Sequence, residues 1–319
     1  MKRAHEWLVK EDGGGLGIQT GWSLLDKCTG GLYPGQLWVF SACADNGRCH
    51  LPPSLLASQL LLEVVSRPAA APCLLISSAH SAAVAAQELS KIYGSMRMLA
   101  AENLKTSLPE FADLPLFIDA ASVYGVDELT DVVVRGTSEH GVRVVLIDDW
   151  NGLIGPTGGQ PASRNEPICS DGMALHDFLI SRAKQVRSVA CARGCDSTGI
   201  TLLTVIHTPL PVGPLGYGMA DAEPVWWLRQ PEHPMVAFSD VHIRLRTDTG
   251  QNKSVAGSVS LKGRIVVEKN RNGRSNCSFG VCCRTPAMVP PGETIPVFVE
   301  DSFITDDMIP RADIDGSQP

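Results

Sequence analysis

At 319 residues, with 44% apolar side chains and a formal charge of −7, the chain can bury one large core and offers no global attraction for nucleic acid or anionic lipid. No stretch approaches the unbroken apolar length of a membrane-spanning helix, and the N-terminal "MKRAHEWLVKEDGGG" lacks the apolar core of a signal peptide, so a cytoplasmic location is expected. The ten cysteines form no CxxC pair and no Cys/His spacing typical of zinc, which predicts small buried hydrophobes and no metal site.

Residues 1–12 are predicted as a short helix with Trp7 and Leu8 as its apolar contacts, ended by the flexible break at Gly13 to Gly15. From Gly17 short apolar runs alternate with segments of helical period. "LWVFSA" (37–42) is followed by "SLLASQLLLEVV" (54–65), "PCLLIS" (72–77) by "AAVAAQELSKIY" (82–93), and "PLFID" (115–119) by "VDELTDVVVRGTSEH" (126–140), before "VRVVLID" (142–148). Continuous apolar strands separated by helices predict a mostly parallel sheet sandwiched by helices. A helix around 173–193 and the strand "ITLLTVI" (200–206) continue the alternation.

After residue 238 the pattern changes. "KGRIVVEKNRNGRSNCSFGVCC" holds two extended runs around Asn272 and Gly273, a dipeptide suited to a hairpin turn, which predicts a C-terminal β-hairpin with basic residues near its tip. The Gly- and Pro-rich segments 155–167 and 208–224 follow strands directly, where open α/β sheets bind ligands. From Pro286 the chain becomes acidic and Pro-rich, and a solvated, disordered tail is expected. The expected organisation is therefore a helix and Gly-rich break over 1–15, one α/β domain over 16–285, and a tail over 286–319.

Several motifs, in order, resemble the RecA-like P-loop NTPase domain of hexameric replicative helicases of the DnaB type. "GIQTGWSLLDKCTGGLYPGQLWVFSA" resembles the segment leading into the strand before the phosphate loop. "VRVVLIDDWNGLI" resembles the Walker B strand, "LLTVIH" the sensor strand, "SDVHIRL" a late strand, and "VEKNRNG" the basic hairpin that reaches into the neighbouring subunit. The resemblance spans roughly residues 5 to 285. It makes the N-terminal helix a remnant of the family's linker helix, and the family's N-terminal collar domain has no counterpart in these residues.

The family's nucleotide chemistry transfers poorly. A phosphate loop turns backbone N–H groups and a helix N-terminus toward the anion, with a Lys for charge and a Ser or Thr hydroxyl for Mg²⁺. Aligned on Gly47, "SACADNGRCHLPP" has Arg48 for the Lys and Cys49 for the Ser or Thr. Arg keeps charge without the compact geometry, and a thiol is a soft ligand where Mg²⁺ prefers hard oxygen. Asp45 adds negative charge, and Pro52 and Pro53 in a second helical turn cost about 3 kcal/mol or more, so a later helix start with proline at its first position is expected. The position matching the family's catalytic Glu is Ala79, which cannot act as a base, with His80 beside it. By the resemblance, Asp148 is the Walker B acid, with an Asp capping the next element as the alternative, and His207 stands where the family senses the γ-phosphate with Gln.

Residues 262 to 274 hold Lys262, Arg264, Lys269, Arg271 and Arg274 against Glu268, five cations less one acid, a local net of +4. The resemblance makes Lys269 and Arg271 a finger acting in trans on the neighbour's γ-phosphate; the alternative is a solvated hairpin tip. Arg164 is the sole basic residue in the two loops that line the family's channel, so a DNA contact there rests on the resemblance, and Trp226 and Trp227 read as core or as a stacking pair. The resulting expectation is a replicative-helicase homologue whose own ATP hydrolysis is lost, a binding or regulatory subunit whose partners are single-stranded DNA and, in a ring, itself or an active helicase. ATP and Mg²⁺ enter only under the alternative of a helicase with a divergent loop. A protein-interaction scaffold without a DNA role is the third reading.

Overall fold

A computed structural model describes residues 17–42, 52–78, 80–103, 110–120, 126–148, 184, 200–206, 234–247, 261–271, 275–284 and 295–301. The helices are α1 (Ser23–Thr29), α2 (Pro53–Val65), α3 (Ala82–Asn103), α4 (Val126–His140) and α5 (Pro234–Phe238). The strands are β1 (Leu37–Ala42), β2 (Cys73–Ser77), β3 (Leu116–Ala120), β4 (Val144–Ile147), β5 (Thr201–Val205), β6 (Val241–Thr247), β7 (Leu261–Asn270), β8 (Cys277–Arg284) and β9 (Val297–Asp301).

All nine strands join one sheet in the order β3-β2-β4-β5-β1-β6-β7-β8-β9. The ladders from β3 to β6 are parallel, and those of β7, β8 and β9 are antiparallel. β1 lies between β5 and β6 and is buried on both faces, which explains its run of four apolar residues from Leu37 to Phe40. Its even-numbered side chains Trp38 and Phe40 pack with α2 and α3. Leu37 and Val39 face the opposite layer, which α4 and α5 cover. α2 is apolar almost all round, with Leu56, Leu60, Leu61 and Leu62 at most 1% exposed, because it is wedged between the sheet and α3.

α1 ends at Gly30, whose φ of 79° suits a residue without Cβ and lets its N–H reach the Asp26 carbonyl. Its other end has no cap from its own flanking residues. Glu300 supplies one from β9: its carboxylate accepts from Ser23 N at 3.1 Å, Ser23 Oγ at 2.9 Å and Leu24 N at 2.8 Å.

This contact corrects the expectation that everything beyond Pro286 is a solvated tail. Residues 297–301 form β9, which pairs with β8 from Gly280↔Asp301 to Arg284↔Val297. Phe298 is 2% exposed, and its backbone N–H and C=O both bond the amide of Gln59 on α2, at 2.7 Å each. The hairpin expectation holds for β7 and β8, and the turn expected at Asn272 and Gly273 lies outside the described residues. The last paired residues of β7 and β8 are Val267 and Cys277; beyond them Lys269 and Asn270 pair with His242 and Val241 of β6, and Glu268 stands at the register shift between. Among the described residues no helix is long and apolar enough to cross a membrane, and no group of His, Cys, Asp and Glu is placed to hold a metal ion.

Candidate nucleotide site and hairpin

The carboxyl ends of β1, β4 and β5 form the edge at which an open parallel sheet accepts ligands. Gly47, Arg48 and Cys49 follow β1 but lie outside the described residues, as do Ala79, His207 and Arg164 and the helix expected around 173–193, Lys184 excepted. α2, the helix after the loop, begins at Pro53, with Pro52 at its N-cap in extended conformation at φ −69° and ψ 126°. No side chain caps this end and no acid occupies its first turn. A proline at the first helical position removes one of the N–H groups that would otherwise point at an anion.

Asp148 directly follows β4. The Ile147↔Thr204 and Phe40↔Val205 pairs place it level with Phe40, two strand spacings or roughly 10 Å from β1. Its carboxylate accepts from Ser78 N at 3.1 Å and from the Ser77 hydroxyl, and the Ser77 hydroxyl also receives the His80 N–H at 3.2 Å. Asp148 thus ties the carboxyl ends of β2 and β4 together. Ile206, the residue before His207, donates its N–H to Phe40 O at 2.9 Å, so β5 and β1 leave the sheet side by side.

Lys269 and Arg271 both contact the segment from α5 to β6 of their own chain. The Lys269 ammonium donates to the Val236 and Ala237 carbonyls at 2.9 Å each, near the end of α5, where a cation is favoured. The Arg271 guanidinium lies 3.4 Å from the Asp240 carboxylate, and the Arg271 backbone N–H donates to the Asp240 carbonyl at 2.9 Å. Asp240 also accepts from Leu37 N at 2.8 Å, which joins the hairpin base to the start of β1.

One polar chain escaped the sequence reading. Ser41 Oγ, on β1 just before the loop, is 2.8 Å from His242 Nε2, and His242 Nδ1 is 3.2 Å from Glu268. Glu268 also meets Arg244 at 3.0 Å and Arg246 at 3.3 Å. Burial alone pushes the Glu268 carboxyl up, and the His242 hydrogen bond with the arginine charges more than offsets it, leaving it below the ordinary carboxylate value. The available signal was the polar alternation of His242, Arg244 and Arg246 within "VHIRLR". A cavity of about 380 Å³ was also missed; Trp22, Gln59, Glu63, Met96, Phe298 and Glu300 are among its lining residues. Burial, opposed by Arg67 and reinforced by Glu300, pushes the Glu63 carboxyl up to about 7.

The family of DnaB-like helicase C-terminal domains matches residues 17–176. No curated protein matches the chain. A solved structure of a DnaB-like replicative helicase, described with its interactions with primase, superposes with a TM-score of 0.57 at 14% identity, over 89% of this chain and 66% of that one. This chain therefore spans slightly less than two thirds of that helicase. A second solved structure, an isolated ATPase domain, superposes with a TM-score of 0.55 at 13% identity, over 87% of this chain and 91% of the other. With half of its length matched and a nine-stranded sheet of the same kind, the chain belongs to the DnaB-like helicase C-terminal domain family.

Proposed function

We propose that this protein is a DnaB-like homologue linked to DNA replication that has lost autonomous ATP hydrolysis and serves as a binding or regulatory subunit. The observation that carries the reading is the start of α2 at Pro53, beyond Arg48 and Cys49, with a proline where the family's helix offers N–H groups. The donor set fits Mg·ATP poorly: a thiol replaces the metal-binding hydroxyl, Ala79 replaces the base, and the Asp148 carboxylate is already held by Ser77 and Ser78. Gly47, Arg48, Cys49, Asp148 and His207 make up this degenerate nucleotide site. Lys269 and Arg271 are retained at the hairpin base, and we assign them the trans-acting role toward a ring neighbour, either a second copy or an active helicase.

The domain runs from about residue 16 through β9, with single-stranded DNA as its nucleic-acid partner and Arg164 as the channel contact. The test is titration with a fluorescent ATP analogue, with and without Mg²⁺, alongside turnover with single-stranded DNA present. No saturable binding at millimolar nucleotide is the expected result; turnover that Arg48→Ala or Asp148→Asn abolishes would overturn the reading. The position of Asp148 on the ligand-binding edge of the sheet favours one second reading, an active helicase with a divergent loop, which requires micromolar Mg·ATP affinity.

A further inference from the structure

We propose that the face of β6, β7 and β8 carrying Arg244, Arg246, Lys262, Arg264 and Arg284 seats the phosphate backbone of a single-stranded nucleic acid. Ile243, Leu245, Ile265, Val267, Phe279, Val281 and Cys283 turn toward the core that α2 and α3 cover. Side chains alternate along a strand, so the five basic residues share the other face. Arg246, Lys262 and Arg284 are exposed, and Arg244 and Arg264 are half-buried. Glu268 is the one acid these three strands place there, so five cations less one leave a net of +4 on a chain of −7. β9 adds Asp301 at the register position across from Gly280, at the margin of the strip.

The arrangement is costly to the sheet by itself. Arg246 stands directly across from Arg264 in the ladder, and like charges in opposed positions destabilise an antiparallel pair. Glu268 relieves Arg244 and Arg246. Lys262 and Arg264 lie on the same face of β7. The backbone positions that carry these side chains are about 5 Å apart across strands and about 7 Å apart along them. A strip three strands, or roughly 10 Å, wide suits one phosphodiester chain. Val266, Ser278, Gly280 and Cys282 also lie on this face, and its His242 ring is 1% exposed, so these three strands offer bases no exposed aromatic ring to stack on. Binding there is electrostatic and independent of base sequence. The proposal stands apart from the nucleotide site, and failure of either leaves the other intact.

The test is fluorescence anisotropy of the full chain with labelled oligothymidylate. If four cations each meet one phosphate, the log–log salt slope is about −2.8, and raising salt from about 50 to about 200 mM weakens binding about fiftyfold. The exposed pair Lys262→Gln/Arg284→Gln is expected to lower the slope by about 1.4 and the low-salt affinity by about tenfold. Arg246→Gln/Arg264→Gln tests the strip centre, and Arg97→Gln/Arg135→Gln, on α3 and α4, is the charge-matched control. Equal losses in the control, wild-type affinity in both strip variants, or absence of salt-dependent binding would overturn the proposal. So would equally tight binding of labelled polyglutamate, which would assign the face to an acidic protein segment.

Discussion

Replacing Glu63 by Gln tests the cavity beneath β9 through its pH dependence. Glu63 lies on α2, with Arg67 one turn along and Glu300 across from it on β9. Burial lifts its carboxyl from the ordinary 4.5 to about 7. Between these values the folded protein keeps a proton that the unfolded chain has released. The stability that Glu63 contributes is therefore fully present below 4.5, is lost as pH rises toward about 7, and stays lost above. The interval from 4.5 to about 7 sets a ceiling of about 3 kcal/mol, at about 1.4 kcal/mol per pH unit. The residual solvent contact of Glu63 brings the expectation to about 1–2 kcal/mol. Glu63→Gln does not titrate, so relative to wild type it gains that amount between about pH 5 and about pH 8. Urea unfolding followed by tryptophan fluorescence at both pH values measures it. An unchanged difference between the two proteins across that range would refute the reasoning.

Phe298→Ala removes a fully buried ring from β9 and is expected to cost about 3–5 kcal/mol in urea unfolding. A loss below about 1 kcal/mol would return 297–301 to a solvated tail. Glu300→Ala leaves the first N–H groups of α1 without their cap and is expected to cost about 1 kcal/mol, whereas Glu300→Gln, which retains an acceptor, costs less. Glu268 has a folded value below the ordinary one, so the stability it contributes is present above the unfolded value and is lost as pH falls through the folded value; Glu268→Gln is expected to abolish that acid-side decline in thermal melts. Restoring only the side chains, with Arg48→Lys/Cys49→Thr, is expected to leave Mg·ATP affinity unchanged, because α2 still starts at Pro53; calorimetric titration showing micromolar binding would locate the defect in the side chains instead.

The central strands were legible because their sequence and their burial coincide. Leu37, Trp38, Val39 and Phe40 are all apolar since both faces of β1 are covered, and "LWVFSA" has the same bounds as the strand. The late start of α2 was legible too, because two consecutive prolines leave a helix only one economical place to begin. β9 was not legible, because an acidic, Pro-rich neighbourhood reads as solvated, and what holds the strand is distant: the β8 ladder, Gln59 and the N-terminus of α1. The same holds for Ser41 and His242, which are 201 residues apart in sequence. Asp148 could be placed from its position after an apolar strand, but not its serine partners, since these depend on β2 and β4 being neighbours.

The strand order has a consequence for any attempt to divide the protein. The matched region ends at residue 176, yet the two strands that flank β1, β5 and β6, begin at Thr201 and Val241. A fragment cut at the end of the match would keep the strand leading into the phosphate-loop position and lose both of its ladder partners. β1 would then carry two rows of unsatisfied backbone donors and acceptors along its length, a surface suited to aggregation. The region most recognisable by descent is thus not a unit that can fold alone, and the less recognisable second half is what encloses it.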